Sequence, residues 1–257
     1  MNNEHLVAVG TGIRTVGQFT METLAWIKKA DKVVYVIADP VAEEVIHTLN
    51  PKGAESLSKF YGENKPRAET YAQMVEFVLA YVRSGLKVCF AAYGHPGVFA
   101  QPTHEAIRRA RLEGYKARML PAISAEDCLF ADLGVDPLTG CQSVEATDFL
   151  TNVRTLDVFS HVLLWQIGGL GDLTFKRQAF DIQGLPQLVN KLLRYYPAHH
   201  LVYLYECPLY PGVEPLICSG PLSYLPFVKP TPMSTLYIPP LSGAPRDTSM
   251  LGLYSRA

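Results

Sequence analysis

Short apolar runs alternate with longer stretches whose apolar positions recur every three or four residues, and this alternation organises the first half of the chain. Leu6-Val7-Ala8-Val9-Gly10, Lys32-Val33-Val34-Tyr35-Val36-Ile37, Leu86-Lys87-Val88-Cys89-Phe90 and Lys116-Ala117-Arg118-Met119-Leu120 read as buried strands. Helices are expected over 19–30, 40–49, 67–83 and 103–113, and from Ser124 to about Leu133. The longest carries Tyr71, Met74, Val75, Val78, Tyr81 and Val82 as one stripe. Ser124 with Asp127 three residues on is a capping-box start. Strand and helix in strict alternation predict a largely parallel sheet covered on both sides.

The texture changes near Gly134-Val135-Asp136-Pro137-Leu138-Thr139-Gly140. Beyond it, strands are expected over 160–168, 201–206 and 234–238, with one good helix over 185–196 and a short one near Pro221. The reading is α/β, with a first domain over 1–136, a second over 137–240 with antiparallel pairing and a mixed sheet, and a tail over 241–257 that is irregular or docks as an arm.

Composition narrows the function. Twenty-three Lys and Arg against 24 Asp and Glu leave a net charge of -1, no field for a phosphate backbone, so nucleic acid is set aside. No apolar run reaches the roughly 18 residues of a membrane helix, and the first residues lack a basic export segment. A soluble, cytoplasmic protein is expected. Five scattered cysteines without a C-x-x-C pair suggest reduced thiols, and seven scattered histidines suggest no metal site.

Candidate chemistry centres on Tyr93-Gly94-His95-Pro96-Gly97-Val98-Phe99, where a strand runs into a glycine-containing loop and then a helix. In an open α/β sheet a small molecule sits at such a place. Gly10-Thr11-Gly12 resembles the start of a dinucleotide loop, but Thr15 stands where the third glycine belongs. Arg67 and Tyr71, four apart, share one helix face. Either the guanidinium lies over the ring as a cation–π pair, or it lowers the phenol's pKa from about 10 and stabilises a phenolate. Tyr61 lies upstream in a loop that could reach the same spot.

Several stretches together resemble the tetrapyrrole methylase superfamily: Val7 to Gly12, Ala30-Asp31-Lys32-Val33-Val34-Tyr35, Tyr93-Gly94-His95-Pro96-Gly97 and Leu120-Pro121-Ala122-Ile123-Ser124-Ala125. Within it, Tyr71-Ala72-Gln73-Met74, Arg118-Met119-Leu120-Pro121 and Ser124 to Leu133 are most similar to the borosin peptide α-N-methyltransferases, the omphalotin-type enzymes. The resemblance implies two α/β domains with S-adenosylmethionine in a cleft between them, leaving as S-adenosylhomocysteine. It implies cofactor contacts from Tyr93, His95, Val98, Ser124 and Ala125, and from Gln166, Cys207, Ser234 and Thr235 in the second domain. Cys207 would act through its backbone. Tyr61, Arg67 and Tyr71 fall at the catalytic positions.

Two departures from the porphyrin-type members weigh against a tetrapyrrole substrate: His95 replaces Asp, and Ile13-Arg14 replace Pro-Gly-Asp. The resemblance implies backbone N-methylation of a ribosomally made precursor peptide. Because the chain stops soon after Pro240, that peptide is expected in trans, with a homodimer or a heterotetramer that includes the precursor. The alternatives are a methyltransferase acting on a tetrapyrrole or other small molecule, and a catalytically silent peptide-binding module.

Overall fold

The computed structural model describes residues 4–37, 39–176 and 184–254, with side chains to 251. The described residues of Met1–Val135, Asp172–Ala179 and Cys207–Leu216 form one compact unit. Those of Asp136–Gly171, Phe180–Glu206 and Ile217–Ala257 form a second. A single cut near 136 therefore does not describe the division, because two later segments return to the first unit. Long-range backbone bonds hold them there: Asn64 N donates to Phe175 O at 2.9 Å, and Thr15 N to Leu209 O at 2.7 Å.

In the first unit the elements are β1 (Leu6–Gly10), α1 (Met21–Lys29), β2 (Lys32–Val36), α2 (Pro40–Leu49), β3 (Ala54–Ser56), α3 (Arg67–Arg83), β4 (Val88–Ala92), α4 (Gln101–Leu112), β5 (Ala117–Met119) and α5 (Ala125–Leu133). The sheet order is β3-β2-β4-β1-β5, and every pairing is parallel. Period-two alternation sends successive side chains to opposite faces. Leu6, Ala8, Val34, Val88 and Phe90 pack under α3 and α4, while Val7, Val9, Val33, Tyr35, Cys89 and Ala91 pack under α1 and α2. The α3 stripe is buried at Met74, Val75, Val78, Leu79 and Val82. Burying such side chains stabilises the fold by about 1.5–3 kcal/mol each.

The helix starts follow local chemistry. Asp39 caps α2 with Pro40 at its first position, and Ser124 and Asp127 close a reciprocal capping box on α5.

The second unit contains β6 (Cys141–Glu145), α6 (Ala146–Thr151), β7 (His161–Trp165), α7 (Leu185–Leu192), β8 (Leu201–Glu206), β9 (Leu216–Pro221), whose first residue lies in the first unit, β10 (Thr235–Ile238) and α8 (Thr248–Tyr254). Its sheet order is β6-β7-β10-β8-β9. β6 and β7 are parallel, whereas β10 is antiparallel to both β7 and β8, so the sheet is mixed. Val162, Leu164, Val202, Leu204, Leu236 and Ile238 turn one face onto Phe149 of α6 and the buried stripe of α7. The C-terminal stretch contains α8, a helix that the sequence pattern did not suggest. Residues 1–3 and 255–257, the outer ends of the expected N-terminal start and tail, lie outside the described residues.

Candidate functional site

The first unit gathers its candidate residues at the carboxyl ends of its parallel strands. Tyr93 follows β4 and donates its backbone N–H to Val36 O, at the end of β2, at 3.0 Å. On the other side of β2, Leu57 N donates to Tyr35 O at 2.8 Å, and that chain leads through a 3-10 turn to Tyr61. Arg67 and Tyr71 stand in the first turns of α3. In a parallel sheet this edge is where loops converge on a ligand.

The loops after β1 and β4 lock together. Gly94 N donates to Gly12 O at 2.9 Å, Gly12 N returns to Gly94 O at 3.3 Å, and Thr11 N reaches Ala92 O at 2.9 Å. Gly12 and Gly94 both take left-handed conformations, at φ +71° each. A Cβ on Gly10 would stand 2.1 Å from Gly94 O, so backbone packs on backbone here. Gly97 N donates to His95 Nδ1 at 2.9 Å, which places the imidazole proton on Nε2. Burial depresses the His95 ring's pKa, Asp127 opposes this, and His104 adds to it. Burial pushes the Tyr93 phenol up, with Cys207, Cys128 and Asp39 adding. Val98 lies exposed on the same loop.

Across the edge, Ser124 Oγ caps α5 and Ala125 opens it. The positive end of the helix faces its N-terminal loop. Cys207, expected in the second domain, lies in the first unit. Its Sγ donates to Pro208 O at 3.6 Å, and it acts electrostatically on Cys128 and Arg14. Arg14 also pairs with Asp132 at 2.7 Å.

Tyr61, Arg67 and Tyr71 come together. Burial pushes the Tyr61 phenol well above its usual value, Tyr71 adds to this, and Arg67 opposes it. Arg67 Nε donates to Thr174 O at 3.2 Å. The ring of Tyr61 lies against Phe175, with centroids 4.6 Å apart.

In the second unit, Gln166, Ser234 and Thr235 share one end of the sheet. Gln166 follows β7 at φ +60°, and antiparallel β10 begins at Thr235. Buried Ser234 accepts from Thr231 N at 2.8 Å and donates to Glu206 Oε1.

Sequence reasoning missed Asp39, Tyr210 and Phe175. Asp39 was signalled by the Asp-Pro pair that opens α2, whereas Tyr210 and Phe175 act through contacts that no local pattern reveals. The donor set suits a nucleoside-bearing cofactor: interlocked backbone loops, an imidazole that burial keeps uncharged and a helix start stand at one edge of the sheet. A Cβ at Gly97 would stand 2.7 Å from Met119 Sδ and 3.2 Å from the His95 ring, so a larger residue there would displace neighbouring side chains. Among the described residues no group of His, Cys, Asp and Glu could hold a metal, and no helix is long and apolar enough to cross a membrane.

Residues 5–207 match the family described as Tetrapyrrole (Corrin/Porphyrin) Methylases. The chain is 42% identical over 253 residues to the methyltransferase/ribosomally synthesized cyclic peptide dendrothelin A precursor of Dendrothele bispora, covering 96% of this chain and 60% of that protein. It is 42% identical over 240 residues to the corresponding omphalotin A precursor of Omphalotus olearius, covering 91% and 57%. The chain thus spans about three fifths of the length of these two relatives. Among solved structures, a cobalt precorrin-4 methyltransferase superposes with a TM-score of 0.67 at 13% identity, covering 91% of this chain and 95% of that one. Such low identity speaks for the fold alone, and the fold is the tetrapyrrole methylase fold with its two α/β sheets.

Proposed function

The chain belongs to the tetrapyrrole (corrin/porphyrin) methylases, and on that premise we propose that it methylates backbone amide nitrogens of a ribosomally made precursor peptide. The observation that carries the reading is the Tyr61–Arg67–Tyr71 cluster, which follows β3 at the same carboxyl edge of the first sheet from which the Tyr93 loop leaves β4. Borosin-type relatives support it, because their names join methyltransferase and peptide precursor. Those names describe both in one protein and lend no support to a peptide supplied in trans.

When bound, S-adenosylmethionine supplies an electrophilic methyl group and leaves as S-adenosylhomocysteine. In the first unit Tyr93, His95, Val98, Ser124, Ala125 and the Cys207 backbone would hold it; the family resemblance also assigns cofactor contacts to Gln166, Ser234 and Thr235. The chain's own work is to make an amide reactive. A peptide nitrogen is a poor nucleophile because its lone pair is delocalised into the carbonyl. Orientation can remove roughly 7–11 kcal/mol of a barrier, yet the amide must also lose its proton.

The environments of the two tyrosines divide the labour. Tyr61 is half-buried, and burial holds its phenol well above the ordinary value, so it stays protonated and its one O–H donates to the substrate carbonyl oxygen as charge builds there. Tyr71, on the same helix face as Arg67, takes the amide proton as general base, and Arg67 offsets the negative charge spread over N–C–O.

The test is incubation of the protein with methyl-labelled S-adenosylmethionine and a separate precursor peptide, or with a tetrapyrrole mixture. Tandem mass spectrometry should place the label on backbone nitrogens of the peptide. Label on a side chain, or on the tetrapyrrole alone, overturns the reading.

A further inference from the structure

Residues 172–176 run antiparallel to 64–67 as a two-stranded ribbon. Asn64 N donates to Phe175 O at 2.9 Å, Phe175 N to Lys65 O at 3.0 Å, and Arg67 N to Leu173 O at 3.0 Å. Asp172 Oδ1 fixes the turn into the ribbon by accepting from Thr174 N at 2.8 Å and Thr174 Oγ1 at 2.6 Å. Two consecutive residues of this ribbon then address two of the three proposed reacting groups. Thr174 O accepts from Arg67 Nε at 3.2 Å, and the Phe175 ring lies 4.6 Å from that of Tyr61 with 30° between planes.

We propose that Phe175 is a positioning residue for methyl transfer, its ring fixing the Tyr61 phenol in one orientation and shielding it from water. The inference rests on the role given to Tyr61 above. A phenol that must meet a carbonyl oxygen cannot wander, since a displacement of about 1 Å can cost on the order of 100-fold in rate. Shielding also keeps the proton in place. Burial is the largest influence on the Tyr61 phenol, and a hydrated phenol titrates near 10. The charged and titratable groups around it are Tyr71 and Arg67 from α3, and Asp172 of the ribbon acts on Arg67 and pairs with Lys176 at 3.9 Å.

The experiment uses the full chain with ring-13C tyrosine, the Tyr61 resonance being assigned by its loss in Tyr61→Phe. The wild-type Tyr61 resonance should titrate well above the ordinary phenol value near 10. In Phe175→Ala and Phe175→Leu it should titrate lower by about one unit or more, with kcat down about tenfold or more and KM within about twofold; Phe175→Tyr should restore both. An unchanged Tyr61 titration, or a kcat within about twofold of wild type, in folded Phe175→Leu overturns the proposal. The spectrum needs neither peptide nor cofactor. Full methyl transfer by Tyr61→Phe would therefore overturn the catalytic reading alone, while the titration still decides what Phe175 does.

Discussion

Tyr210 Oη donates to Asp39 Oδ1 at 2.8 Å, joining residues 171 positions apart. The same buried carboxylate accepts from Thr15 Oγ1 and from the N–H groups of Val41, at 3.2 Å, and Ala42, at 3.3 Å. With Thr15 N bonded to Leu209 O, this straps segment 207–216 onto the loop that follows β1. Burial alone would raise the Asp39 pKa, but the bonds from Thr15, Tyr210, Val41 and Ala42 outweigh it and hold the group below its usual value. The contribution to stability is therefore present above the ordinary carboxylate range near 4 and is lost as pH falls through the lower folded value. Asp39→Ala should cost about 1–3 kcal/mol in urea denaturation at neutral pH, and less toward pH 3. Tyr210→Phe should raise the KM for S-adenosylmethionine while leaving kcat near wild type.

The neutral imidazole of His95 makes a second pH dependence. Its folded pKa is depressed, mainly by burial, so the fold favours the uncharged ring. Its contribution is full above the ordinary imidazole value near 6.5 and is lost as pH falls through the lower folded value. Calorimetric titration with S-adenosylhomocysteine should give a steady affinity from pH 8 to about 6.5 and a weaker one near pH 5. His95→Gln, which keeps an acceptor for Gly97 N without a titrating ring, should flatten that profile.

Backbone contact at Gly10 gives a steric prediction. A methyl group there would stand 2.1 Å from Gly94 O, 2.5 Å from Ala122 Cβ and 2.8 Å from Pro96 Cδ, so both loops must move. Gly10→Ala should destabilise the protein by about 2 kcal/mol or more and abolish cofactor binding. Gly85→Ala, where nothing lies within 4 Å but φ is +85°, should cost only about 1 kcal/mol and leave binding intact. Thermal denaturation and cofactor titration of the two variants separate local crowding from general strain.

The alternation of strand and helix made the first sheet legible, as did the α3 stripe and the Ser124 capping box, because each is a local pattern. β3 was not legible: Ala54-Glu55-Ser56 has no apolar run, and it becomes a strand only by pairing with β2. β6, with the sequence Cys-Gln-Ser-Val-Glu, is equally weak by itself and is defined by its parallel register with β7. Spacing placed Arg67 and Tyr71 on one face but left the guanidinium's partner open. The structure gives its Nε to the carbonyl of Thr174, 107 positions away, a contact that periodicity does not encode. Phe175 and Tyr210 escaped notice for the same reason.

Single-turnover methyl transfer, with peptide and S-adenosylmethionine both prebound, tests the central assignment most directly. Tyr71→Phe and Arg67→Ala should each slow transfer by about 100-fold or more while cofactor affinity stays within about threefold of wild type. Transfer by both variants at rates within about threefold of wild type would contradict the account, because the amide would then be losing its proton without this phenol and this guanidinium.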